Sequence, residues 1–124
     1  LNDRMTERAH RKLPVWKASI GLVEAFYVAS ARFPKEEVFG LQAQIRRAAV
    51  SVPANIAEGA ARKTTGELIQ FLYVANGSLS ELDTHLEIAK RLGYVEKGTE
   101  LQSQLDDVQS QLLTVIESLK RRSR

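Results

Sequence analysis

Residues 33 to 62 read FPKEEVFGLQAQIRRAAVSVPANIAEGAAR, and this stretch decides the fold because it is apolar on two sides. At 100° per residue, Val38, Leu41, Ile45, Ala48, Val52, Ile56 and Gly59 share one helix face. Ala43, Val50, Ala54, Ala57 and Ala61 make a second face, roughly opposite, and a narrow polar line of Gln44, Arg47, Ser51, Asn55 and Glu58 runs between them. A helix that covers a single core needs one apolar face. We therefore expect the first face to serve the chain's own core. The second, small enough for close helix approach, is expected to serve a neighbouring copy in a homo-oligomer. Arg47, Ser51, Asn55 and Glu58 are expected to form a hydrogen-bonded network that fixes register between packed helices. Pro53 removes one backbone bond and bends the helix without ending it, since the periodicity resumes in register.

Three further helices follow on either side. Trp16, Ser19, Ile20, Val23, Phe26, Tyr27 and Ser30 step by three and four over Val15 to Arg32, with Pro14 at the helix start and the Phe33-Pro34 step at its end. The long central helix is expected to begin at Pro34 or Lys35, with Glu36 and Glu37 at the positive end of its dipole. Thr64 to Glu67 reads as a capping box. The helix it opens carries Leu68, Leu72, Ala75, Leu79, Leu82, Leu86 and Ala89 at alternating four and three, and Gly93 is its left-handed cap. The last helix repeats that spacing with Leu101, Leu105, Val108, Leu112, Val115 and Leu119. Connections of a few residues pack sequential helices against one another. The expected fold is all-α: an antiparallel up-down-up-down four-helix bundle, left-handed and homo-oligomeric. It divides into a flexible basic N-terminal tail at 1–12, the bundle at 13–121 and a basic C-terminal tail at 122–124.

A chain of 124 residues fits one domain, and seven glycines and three prolines leave room for long helices. The absence of cysteine excludes disulfides, thiolate catalysis and Cys-type metal sites. It also fits a reducing compartment, and a cytoplasmic location is expected. No apolar run approaches the roughly 20 residues that span a bilayer, so no membrane partner is expected. The segment LNDRMTERAHRK lacks the apolar core of a signal peptide. Leu1 is not an ordinary start, so the expectation is either a trimmed chain or Met5 as the initiator.

The formal charge of +3 is unevenly divided: −3 for residues 13–118, +2 for residues 1–12 and +4 for residues 119–124. In the expected topology both basic ends meet the connection between the second and third helices at one pole. Arg8, Arg11, Lys12, Arg62, Lys63, Lys120, Arg121, Arg122 and Arg124 gather there, making that pole a candidate surface for RNA or DNA, because Lys and Arg supply most of sequence-independent nucleic-acid binding. A solvated pair of basic tails is the rival reading. Interleaved aromatics, the mark of single-strand stacking platforms, are absent from this pole.

Enzyme chemistry finds little support. His85 follows Glu81 by one turn but lacks the repeated Glu-x-x-His of a bundle metal site, and it reads as a lone helix-surface histidine. No catalytic residue, cofactor or metal ligand is assigned. Trp16, Phe26, Tyr27, Phe71 and Tyr73 lie at helical spacing and read as core or interface residues. Gly77, in mid-helix, is expected to mark close approach of a neighbouring helix.

LPVWKAS at 13–19, the 33–62 stretch, and FLYVANGSLSELDTHLEIAKRLGY at 71–94 carry a family pattern. On these residues the chain resembles the small four-helix-bundle family first known from reading frames in intervening sequences of bacterial 23S ribosomal RNA genes. It is also similar to the accessory variability determinants of diversity-generating retroelements. The resemblance implies a ring-like homopentamer and, from the retroelement relatives, a positively charged assembly that engages nucleic acid and a reverse transcriptase. It places Arg46, Arg47, Asn55, Glu58 and Gly59 in the family's motif without a catalytic role. The leading expectation is a non-enzymatic oligomer that binds RNA, DNA or a nucleoprotein partner through the basic pole. The alternative is a structural oligomer or protein-interaction adaptor that binds no nucleic acid. An enzyme site on Arg47, Asn55 and Glu58 ranks third.

Overall fold

A computed structural model describes residues 7–123. They form four α-helices and no strand: α1 (Pro14–Ser30), α2 (Leu41–Ala60), α3 (Thr65–Arg91) and α4 (Glu100–Arg122), with 3-10 turns at Ala9–Lys12 and Lys35–Glu37. Each helix packs on its neighbours in the chain and α1 packs on α4, while the diagonal pairs stay apart. Cross-helix bonds occur in reversed chain order: Lys90 and Asp83 meet Gln102, Asn76 meets Gln109, and Tyr73 meets Lys120.

The core follows the four-three spacing. Leu72, Leu79, Leu82 and Leu86 of α3 are buried against Leu105, Leu112 and Ile116 of α4 and Ile45, Val52 and Ile56 of α2 in one continuous cluster. Each such side chain contributes about 1.5–3 kcal/mol on burial. Two registers differ from the sequence expectation. On α1 the buried stripe is Val15, Ser19, Leu22, Phe26 and Ser30, so Ile20 and Tyr27 fall on the exposed edge. On α4 Ile116 takes the core position assigned to Val115, which packs at the margin.

The helix ends are closed as their residue types require. Thr64 Oγ1 accepts from the Glu67 N–H at 3.2 Å, capping α3. At the other end of α3, Gly93 has φ +78°, the Gly93 N–H donates to the Lys90 carbonyl, and the Tyr94 N–H donates to that of Ala89. That pair of bonds is the Schellman closure, and it depends on a residue without a Cβ at the left-handed position.

The start of α2 departs from expectation. Lys35–Glu37 is a 3-10 turn and the α-helix begins only at Leu41, which leaves Val38 exposed and not on the core face. The cause is Glu37, whose Oε1 accepts the Leu41 N–H at 3.0 Å and so caps α2 from outside the helix. A Cβ at residue 40 would stand 2.8 Å from that oxygen, and glycine leaves the carboxylate room. Pro53 is accommodated inside α2: Ser51 Oγ donates to the Ala48 carbonyl and Asn55 Nδ2 to the Ser51 carbonyl around it. The glycine that permits a close helix approach is Gly59, not Gly77. A Cβ on Gly59 would come within 2.8 Å of Phe71 Cβ, whereas one on Gly77 would meet open space.

Candidate nucleic-acid interface

Three local contacts define one end of the fold. Arg62, just past α2, lies over the Phe71 ring at 4.8 Å, and Lys120 Nζ is 3.5 Å from the Tyr73 hydroxyl. The first three turns of α3 thus carry one basic group from the α2–α3 connection and one from α4. The turn Ala9–Lys12 packs against α1 and α2, with Arg8 and His10 beside Ala54, Ala57 and Ala61. Arg11 covers Trp16 at 5.3 Å. The contacts bring Arg8, Arg11, Arg62 and Lys120 to this end, with Lys12, Lys63, Arg121 and Arg122 adjacent in the chain. Arg124 lies outside the described residues.

Most of these charges face water. Arg8, Arg11, Lys12, Arg62, Lys63, Arg121 and Arg122 are exposed and Lys120 is half-buried. Among the described residues the ion pairs at this end are local, Arg62 to Glu58 at 2.8 Å and Lys120 to Glu117 at 3.9 Å. Exposed pairs of this kind contribute about 0–1 kcal/mol. They lower the local field without fixing the fold. Arg11, held over Trp16, keeps its guanidinium edge open for a phosphate, whereas Arg62, over Phe71, gives one Nη to Glu58.

The polar line of α2 does not close as one network within a single chain. Ser51 Oγ meets Ser78 Oγ of α3 at 2.5 Å, Asn55 turns back to the Ser51 carbonyl, Glu58 pairs with Arg62, and Arg47 is exposed. The reason is rotation: Ser51 lies on the α2–α3 seam, while Arg47 and Glu58 sit one step outward. Of the second apolar face, Val50, Ala54 and Ala61 are exposed and Ala43 and Ala57 half-buried, so nothing among the described residues covers them fully.

His85 is a correction. It is 7% exposed, not on the surface, and neither ring nitrogen has a hydrogen-bond partner. Glu81 Oε2 lies 3.4 Å from Nε2 but is not aligned to bond it. Ser51 opposite Ser78 and Gly59 opposite Phe71 set the register, which puts His85 level with Gln44 and Ile45. The ring flanks the Leu82 and Leu86 seam on the side that α2 closes. Among the described residues no group of three His, Asp or Glu side chains could hold a metal ion, and no helix is long and apolar enough to cross a membrane.

A cluster that periodicity does not show holds the opposite end together. Arg46 Nε donates to Ser30 Oγ at 3.0 Å and Nη2 to the Tyr27 carbonyl at 3.2 Å, with the guanidinium 4.4 Å from the Tyr27 ring centre. Gln42 Nε2 donates to the Ser30 carbonyl at 2.7 Å. These donors satisfy the last carbonyls of α1, where a cation also suits the helix dipole. Beside them the Tyr94 hydroxyl donates to Glu37 Oε2 at 2.9 Å, and its ring packs on Phe33. The bond to the Glu37 carboxylate, helped by burial and the charges of Glu37 and Glu36, raises the Tyr94 phenol above its ordinary value. Phe33, Glu37, Gly40, Leu41, Arg46 and Gly59 thus all have tasks within the fold, and all belong to the stretch that carries the family pattern.

No curated protein matches the chain. The sequence pattern of the 23S rRNA-intervening sequence proteins matches residues 11–114. That match reaches from the turn before α1 into α4, and the chain belongs to the 23S rRNA-intervening sequence protein family.

Proposed function

We propose that the chain is a non-enzymatic subunit of a cytoplasmic homo-oligomer, an antiparallel, up-down-up-down, left-handed bundle, that binds RNA, DNA or a nucleoprotein partner through its basic end. The observation that carries this reading is the convergence of Arg8, Arg11, Arg62 and Lys120, from three segments of the chain, on one end where the ion pairs are few and local. Oligomerisation adds to it. A closed ring would present several copies of that end on one rim, and log affinity falls in proportion to the number of phosphates neutralised as salt rises. The resemblance favours five copies.

The alternative is a structural oligomer or adaptor without nucleic acid. Its support is the uncovered apolar face of α2, which asks for a protein neighbour whatever the basic end does.

A salt titration of binding to mixed RNA and DNA, followed by fluorescence anisotropy, separates the two. The first reading expects log affinity to fall steeply and linearly with log salt. The double variant Arg121→Ala, Arg122→Ala should flatten that slope by about 1 for each arginine that meets a phosphate. No binding at low salt leaves the adaptor, whereas binding unchanged in the double variant counts against the basic end as the contact surface.

A further inference from the structure

Among the described residues the most exposed large apolar side chain is Phe39, at 96%; the next, Val28, is at 63%. It is not on a loose segment. Val38 N–H donates to the Lys35 carbonyl and Gly40 N–H to that of Glu37, and Glu37 itself is fixed by Leu41 N–H and the Tyr94 hydroxyl. Phe39 is therefore a ring of roughly 150–250 Å² held out into water on a rigid turn.

At the other end of α2 lies a groove of about 390 Å³ whose apolar floor is Ala54, Ala57 and Ala61, with Arg8 and His10 on one wall and Glu58 on the other. Its floor is made of methyl groups, leaving space that a larger side chain from elsewhere can fill. The knob and the groove also differ in charge. The turn that carries Phe39 holds Glu36 and Glu37 against Lys35, whereas the groove sets Arg8 and His10 against a single Glu58, which Arg62 pairs. Knob and groove sit at opposite ends of one helix, too far apart to meet within a chain.

We infer that Phe39 of one copy seats in the Ala54–Ala57–Ala61 groove of a second copy, a head-to-tail contact that can repeat around a ring. The inference rests on the homo-oligomer proposed above and adds to it the residue that joins one copy to the next. Glu36 on the incoming turn meets Arg8 at the groove's edge, which sets the direction of insertion and disfavours head-to-head pairing.

Two variants test it by sedimentation velocity. Phe39→Ser has a groove and no knob; Ala54→Trp has a knob and a filled groove. Far-UV circular dichroism verifies helix content, with Ala54→Arg in place of Ala54→Trp should the larger ring disturb it. The wild type should sediment well above the 13.9 kDa of one chain, and each variant alone should fall to one chain. Mixed at high concentration, the two should give a heterodimer of twice the chain mass and nothing larger, because only one knob and one open groove remain. A monomeric wild type overturns this inference and the oligomer together. An oligomeric wild type whose variants keep its size, or variants that turn monomeric yet fail to pair, overturns the seating of Phe39 alone and leaves the oligomer standing.

Discussion

The two ends of the fold use their polar side chains in opposite ways. Around the α1–α2 turn, Arg46, Gln42, Glu37 and Tyr94 each bond to a group on another segment, and several of the acceptors are main-chain carbonyls. At the basic end, Lys12, Lys63, Arg121 and Arg122 are exposed, and the ion pairs present lie within three or four residues in the chain. The difference teaches how to separate charge that builds the fold from charge available to a partner. A guanidinium with carbonyls on its donors has its geometry fixed and little to offer a ligand. One surrounded by water keeps its full hydrogen-bonding capacity and gives up only hydration when a phosphate arrives.

The contrast breaks first at Arg46. Replacing it by alanine removes charge-assisted bonds to the end of α1 and the cover over Tyr27, and should cost about 1.5–3 kcal/mol in urea unfolding. Arg46→Lys should recover only part of that, because one ammonium cannot reproduce a two-nitrogen fork and a stacked plane. A loss below about 0.5 kcal/mol, the range of ordinary surface substitutions, would mean that the two ends do not differ as argued.

A smaller effect tests the same end through pH. The phenol of Tyr94 is raised in the folded state, so the folded protein resists its ionisation. The stability this contributes is fully present below the unfolded phenol value of about 10 and is lost as pH rises through the raised folded value. Titrating tyrosinate absorbance should show one of the three tyrosines ionising late. Glu37→Gln should move that step toward the ordinary range and Tyr94→Phe should abolish it. A titration with no late step, or one untouched by Glu37→Gln, would remove the bond from the account.

The helices themselves were open to reading in the sequence, since each carries its period and most carry end signals; on α3, Thr64, the seam from Leu72 to Ala89, and Gly93 all point to one answer. The cross-chain bonds were not. Tyr94 to Glu37 spans 57 residues, and neither residue type announces the other. Arg46 finds its acceptors on main-chain atoms, which periodicity does not encode. Glu37 looked like a first-turn acid, although it caps α2 from outside. His85 was misplaced for a related reason: a residue flanking a clean leucine seam is buried or exposed according to how far the facing helix rolls toward it, and a few degrees decide it. The basic end was legible as composition, because charge at chain termini and a connection meets at one pole whenever short turns link four helices. Phe39 carries no signal in the sequence, because a lone aromatic off the helical period does not declare its exposure.

The smallest expected effect is the one that most sharpens the contrast. In the double variant Arg121→Ala, Arg122→Ala, two opposing terms act on stability. Both arginines lie in the last turn of α4, where a cation favours the helix dipole by about 0.3–1 kcal/mol when exposed. Both also stand beside Lys120, so removing them relieves repulsion between like charges. These terms are similar in size and opposite in sign, and salt screens both. Thermal unfolding of the double variant should therefore match the wild type within about 0.5 kcal/mol, at low and high salt alike. On the proposed reading nucleic-acid affinity carries no such cancellation, since each lost arginine would remove a phosphate contact with nothing to offset it. A variant that unfolds normally while binding loses its salt slope assigns these charges to a partner. One that loses stability in step with binding would put them back into the fold, alongside Arg46.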